Sequence, residues 1–169
     1  MIVAMYILYM YIFFMKRRSP TTGSLVWHLA MKWRSEVDRA IAHLGLTHAE
    51  YSVMATLHAV SENGRTPSQR QLADYAGLQQ IYVSKLARAL ETSGHIRREP
   101  DSEDSRAFRL NLTVSGRDTI VAARSIVEAL DRRLTAPIGG PEGERTRELT
   151  ATLSLLLSQA PSSTQEESP

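Results

Sequence analysis

The sequence predicts a mainly α-helical chain interrupted once by a small β-hairpin, and three observations predict it. Apolar residues recur every three or four positions in six separate stretches, the period of a helix with one buried face. Two of those stretches open on capping boxes, Thr47 with Glu50 and Ser68 with Gln71, whose side chains satisfy the free backbone donors of a first turn. A single run alternates apolar and polar residues: Phe108, Leu110, Leu112 and Val114 mark one face of a strand. At 169 residues there is room for one compact domain with appendages rather than two full domains.

The chain opens on an apolar segment. Residues 1–15, MIVAMYILYMYIFFM, hold four of the six methionines. As a helix they would reach about 22 Å, short of the roughly 30 Å hydrocarbon core of a bilayer. Lys16, Arg17 and Arg18 stop the run at once. A secretory leader carries its positive charge before the apolar run and a small-residue cleavage site after it. The order here argues against secretion and for a cytoplasmic body. Three readings stay open: a later translation start at Met15 or Met31, a short membrane anchor, or a hydrophobic arm packed into an oligomer.

From Ser24 to Leu44 the residues Val26, Ala30, Trp33, Val37, Ala40 and Leu44 form the seam of a helix that packs along another helix. Gly45 ends it. A second helix starts at about residue 48 and carries Val53, Leu57 and Val60 inward as far as Glu62. The Ser68 box opens a short helix with Leu72, Ala73 and Ala76 inward, stopped at Gly77. A tight turn, Gly77-Leu78, leads into a longer helix from about Gln79 to Ser93. Its apolar stripe is Val83, Leu86, Ala87 and Leu90; its other face shows Gln80, Ile81, Ser84, Lys85 and Arg88. After Gly94 comes the hairpin, His95–Glu99 and Phe108–Val114, around a polar tip at residues 100–107. A helix from about Ser115 to Leu134 turns Ile120, Ala123, Val127, Leu130 and Leu134 inward. Pro137 to Pro141 breaks it, and a last helix to about Ser158 carries Leu149, Leu153, Leu156 and Leu157. The tail, residues 161–169, is predicted to be disordered.

Composition excludes more than it selects. There is no Cys, hence no disulfide, thiolate zinc site or cysteine redox switch. His43 and His48 lie close together but lack a third ligand of suitable spacing, so no metal or cofactor is predicted. No Ser-His-Asp set, paired carboxylates or glycine-rich cofactor loop is legible, and the chain is read as a non-enzyme. The net charge of +2 does not by itself announce a nucleic-acid partner, and residues 62–109 hold eight Lys and Arg against seven Asp and Glu.

Order decides where charge does not. Two capped helices, a glycine turn, a polar-basic helix and then strand, tip and strand make a helix-turn-helix followed by a β-hairpin wing. A B-form major groove admits one helix, and base edges are read from its N-terminal end. Gln79 and Gln80 open that helix, and glutamine can pair with adenine through two hydrogen bonds. Lys85 and Arg88 suit guanine or phosphate, while Tyr82 and Ser84 suit phosphate oxygens. Arg70, near the start of the preceding helix, is placed to meet backbone phosphate, and Arg106 at the wing tip to enter a narrow minor groove.

From about Ser24 to Ala160 the chain resembles the MarR family of winged helix-turn-helix transcription regulators. The stretches that carry the resemblance are Leu44 to Thr47, Leu90 to Gly94, and the wing Pro100-Asp-Ser-Glu-Asp-Ser-Arg106-Ala107, completed by Leu112, Thr113 and Gly116. The resemblance implies an obligate homodimer on a palindromic operator, read by two recognition helices and two wings. It implies residues 47–114 as the DNA-binding unit and residues 21–46 and 115–160 as flanking dimerisation helices. Residues 1–20 form the apolar segment with its basic linker, of which residues 1–15 lie outside the family pattern. In the wing it implies that Asp104 orients Arg106 toward DNA, which accounts for acid in a DNA-contacting loop. Members that bind aromatic effectors do so between the dimerisation and DNA-binding parts, where Trp27, His28, Tyr51 and His58 are the candidates here. The absence of Cys excludes the peroxide-sensing branch. The expected function is a sequence-specific repressor released by a small molecule. The alternatives are a membrane-tethered regulator or a non-catalytic winged-helix dimerisation module.

Overall fold

The computed structural model describes residues 19–101 and 107–158. The apolar residues 1–15, the wing-tip pair Asp104 and Arg106, and the tail from Pro161 lie outside the described residues. Among those described, six α-helices surround one hairpin: α1 (Thr22–Ile41), α2 (His48–Glu62), α3 (Gln69–Ala76), α4 (Gln80–Thr92), β1 (Ile96–Pro100), β2 (Phe108–Leu112), α5 (Val114–Thr135) and α6 (Glu144–Ser158). Short 3-10 turns, Ala42–Leu44 and Ala136–Ile138, follow α1 and α5. No helix among the described residues is long and apolar enough to cross a membrane.

Local chemistry sets the boundaries. Both capping boxes form: the Thr47 amide donates to Glu50 Oε2 at 2.9 Å, and the Ser68 amide to Gln71 Oε1 at 2.9 Å. Gly77 ends α3 in the left-handed region (φ 64°), where a side chain would be strained. Its neighbour Leu78 donates to the Ala73 carbonyl at 2.9 Å, which closes the turn between α3 and α4. At the other end of the hairpin Thr113 caps α5, its hydroxyl accepting from the Gly116 amide at 2.9 Å.

That cap corrects the expected strand end. Val114 continues the apolar alternation, yet it is the first residue of α5 and is 68% exposed. The helix starts where Thr113 can satisfy its first-turn donors, and the period-two pattern ends two residues earlier, at Leu112. The first strand is also one residue later than expected, at Ile96–Pro100. In the α1 seam Val37 is buried and Trp33, Ala40 and Leu44 pack on the core, but Val26 and Ala30 are exposed. Among the described residues, none covers the N-terminal half of α1.

One continuous core joins all the elements except α6. Val37 and Ile41 of α1, Val53 and Leu57 of α2, Leu72 of α3, Val83 and Leu90 of α4, Ile96, Leu110 and Ile120 are all essentially inaccessible. Burial of this kind is the main force that holds a domain of this size together. The hairpin pairs antiparallel, Ile96 opposite Leu112 and Pro100 opposite Phe108. On its free side β2 is joined to the segment before α3: Leu110 donates to the Pro67 carbonyl at 3.0 Å, and Ser68 forms a bridge with Arg109.

Candidate nucleic-acid interface

Helix α4 buries Val83, Ala87 and Leu90 and turns its opposite face to solvent. Gln79 is its N-cap residue, in extended conformation, and its side chain makes no cap hydrogen bond. Gln80, Ser84 and Arg88 follow at intervals of four, so they stack along one line of the helix. This line forms one wall of a groove whose other walls are the start of α3, with Ser68, Arg70 and Gln71, and the base of the wing, with Arg98, Asp101, Phe108 and Arg109. Arg70, Gln80, Ser84 and Arg88 are thus brought together as a polar, basic surface. Lys85 and Tyr82 are not part of that groove. They line a separate depression with Arg34, Asp38 and the Gly45–Thr47 segment, farther round the helix.

The four arginines of the groove have different status. Arg88 and Arg70 are exposed. Arg109 is engaged: its Nε lies 3.0 Å from Asp101 Oδ2, and Nη1 donates to the Thr66 carbonyl at 2.9 Å. The Asp101 side chain is only 8% exposed, so this pair is a structural tie between the wing and the segment before α3. Arg98 is tied in another direction, its Nε 2.7 Å from Glu91 Oε2 at the end of α4, with its guanidinium 4.8 Å from the Phe108 ring centre. Sequence reasoning missed both ties. Arg109 and Thr66 are 43 positions apart, and no local spacing rule couples them.

The four effector candidates fall into two pairs. Trp27 and His28 meet edge to face, ring centres 4.8 Å apart, and His28 Nδ1 lies 2.7 Å from the Ser24 carbonyl of its own helix. Tyr51 and His58 lie on α2 and share a neighbour on α5, Arg124, which sequence reasoning did not single out. Arg124 Nη1 is 3.5 Å from His58 Nδ1, and Glu62 Oε2 is 3.5 Å from the same nitrogen. Burial pushes the Tyr51 hydroxyl above its usual pKa; Arg124 pulls it back and Glu128 adds to the rise. Among the described residues no group of three His, Asp or Glu is placed to hold a metal ion.

Comparison with known proteins gives this geometry its context. The sequence profile of the MarR family matches residues 44–107, from the end of the turn after α1 to the wing. The chain is 32% identical to the uncharacterized HTH-type transcriptional regulator YdcH of Bacillus subtilis (strain 168) over 123 residues, 72% of this chain and 84% of that protein. Its fold is that of the S. aureus MepR–DNA complex, with a TM-score of 0.74 at 24% identity over 82% of this chain and 96% of MepR. The transcriptional repressor CouR, bound to a 23-mer DNA duplex, superposes with a TM-score of 0.72 at 23% identity over 86% of this chain and 97% of CouR. The chain belongs to the MarR family of winged helix-turn-helix transcriptional regulators.

Proposed function

We propose that this chain is a DNA-binding transcriptional repressor that acts in the cytoplasm as a homodimer on a palindromic operator and is released by a small molecule. One observation carries the DNA-binding reading: Gln80, Ser84 and Arg88 present a polar, basic line beside Arg70 and a wing fixed at its base. Helix α4 enters the major groove with Gln79 and Gln80 leading, and Arg70 and Arg88 take phosphates or guanine. Tyr82 and Lys85 meet the backbone at the flank, and Arg106, steered by Asp104, reaches the minor groove. The homodimer reading is supported by apolar side chains left in water, Leu25, Trp27 and Leu29 on α1 and Leu155, Leu156 and Leu157 on α6. Residues 21–46 and 115–160 supply that interface, while residues 47–114 read DNA. The effector reading is supported by the cluster of Tyr51, His58 and Arg124, whose cation and hydroxyl suit an aromatic molecule bearing an acidic group. The relatives are regulators, which supports a non-enzyme.

The test is binding of the full chain to the duplex upstream of its own coding sequence as salt is raised. Several neutralised phosphates per dimer give a log–log slope steeper than about −5. A flat salt response, or no preference for that duplex over unrelated DNA, would falsify the reading.

A further inference from the structure

Ile81 has no structural reason to be apolar. It is the second residue of α4 and is 79% exposed. At about 100° per residue it lies roughly opposite Val83, Ala87 and Leu90, so it projects away from the core. Its side chain neither fills the interior nor favours the helix, since β-branched residues are mediocre helix formers. It also differs from the exposed apolar groups of α1 and α6. Those come together, whereas Ile81 is the one exposed large aliphatic side chain of α4, set among Gln80, Ser84, Lys85 and Arg88 with Tyr82 beside it. A single apolar side chain in a polar surround is too small a patch for a protein partner. It is, however, the right size for one methyl group.

The major groove offers such a methyl on one base only, the C5 methyl of thymine. The N-terminal end of a recognition helix is where base edges are met, and Ile81 sits in its first turn, one turn before Lys85 and two before Arg88. We propose that Ile81 is a specificity-determining residue that selects thymine at one position of each half-site by packing on this methyl. The inference rests on the DNA-binding reading above and adds to it a base and the residue that reads it.

The experiment uses the full chain and the tightest duplex recovered from a randomised library. Each thymine of that duplex is replaced singly by deoxyuridine, which removes the methyl and keeps every hydrogen-bonding group. Loss of one buried methyl weakens binding about fourfold, and about fifteenfold when both half-sites are changed. Ile81→Ala binds the thymine duplex as weakly as the native chain binds the uracil duplex, and no longer distinguishes the two. Ile81→Val, which keeps a branched methyl, retains part of the discrimination. Because the side chain is exposed, the variants unfold at the native temperature. Equal binding to every uracil duplex, or undiminished discrimination by Ile81→Ala, overturns the inference while leaving DNA binding intact. Failure to enrich any duplex overturns the DNA-binding reading and this inference with it.

Discussion

Arg109 shows how a cation beside a candidate nucleic-acid surface can serve the protein itself. Asp101 and the Thr66 carbonyl occupy its guanidinium, and in return the wing base gains a fixed position. Gly116 is a second residue whose role is mechanical. A Cβ at that position would land on the His95 carbonyl oxygen, which is backbone and cannot rotate away. Gly116→Ala should therefore lower stability by at least about 2 kcal/mol, read from the urea midpoint, because α5 must shift away from β1. His48 responds to pH. Burial, the largest cause, and Arg34 lower its pKa below 6.5, while Asp38 opposes them. The folded chain takes up this proton at lower pH than the unfolded chain does, so unfolding absorbs a proton in between. The contribution is complete above pH 6.5 and is lost as pH falls from there toward the lowered value. In His48→Gln, urea midpoints measured from pH 7.5 down to about 5.5 should fall less steeply than in the native chain.

At the scale of elements, α4 divides its polar residues between two surfaces. Arg88 shares the groove with Gln80 and Ser84, whereas Lys85 turns toward α1 and the start of α2. Arg88→Ala should weaken binding to all duplexes alike and reduce the salt slope by about 2 per dimer if it meets phosphate. A loss confined to one base would assign it to guanine instead. The helices themselves were legible in the sequence because caps act over three residues: Thr47 with Glu50, Ser68 with Gln71, and the glycine at Gly77. Val114 was misread because two local signals, strand alternation and the Thr113 cap, overlap there, and the cap wins. The residues of the candidate reading face were legible as one exposed side of α4, whatever they contact. Their division was not, since the direction in which a helix turns each polar residue depends on the neighbours against which it docks. The ties of Arg98 and Arg109 needed the wing folded back onto α3 and α4 before they existed.

At the scale of the molecule, α6 is the element least covered by the described residues. It packs mainly on the turn Ala136–Ile138, is held by Thr146 donating to the Gly140 carbonyl at 2.7 Å, and leaves Leu157 85% exposed. Fifteen residues are a marginal length for a helix without packing, so this face calls for cover of the kind a second copy provides. Sedimentation of the full chain should give twice the mass of one chain. Leu156→Glu should give the single mass, with any loss of helix confined to α6, and lose at least about a hundredfold in operator affinity as the second half-site stops contributing. Dimeric sedimentation of the variant would move the interface away from α6.

The hydrogen bond from Leu110 to the Pro67 carbonyl also bears on mobility. Through it the wing's second strand is stitched to the lead-in of α3, and α3 is stitched to α4 by the Gly77 turn. The wing base, α3 and α4 are thus linked in series by backbone hydrogen bonds at those joints. In the homodimer proposed above, a displacement of one of them would bear on the other two, and the setting left to vary would be the span between the two copies of this unit.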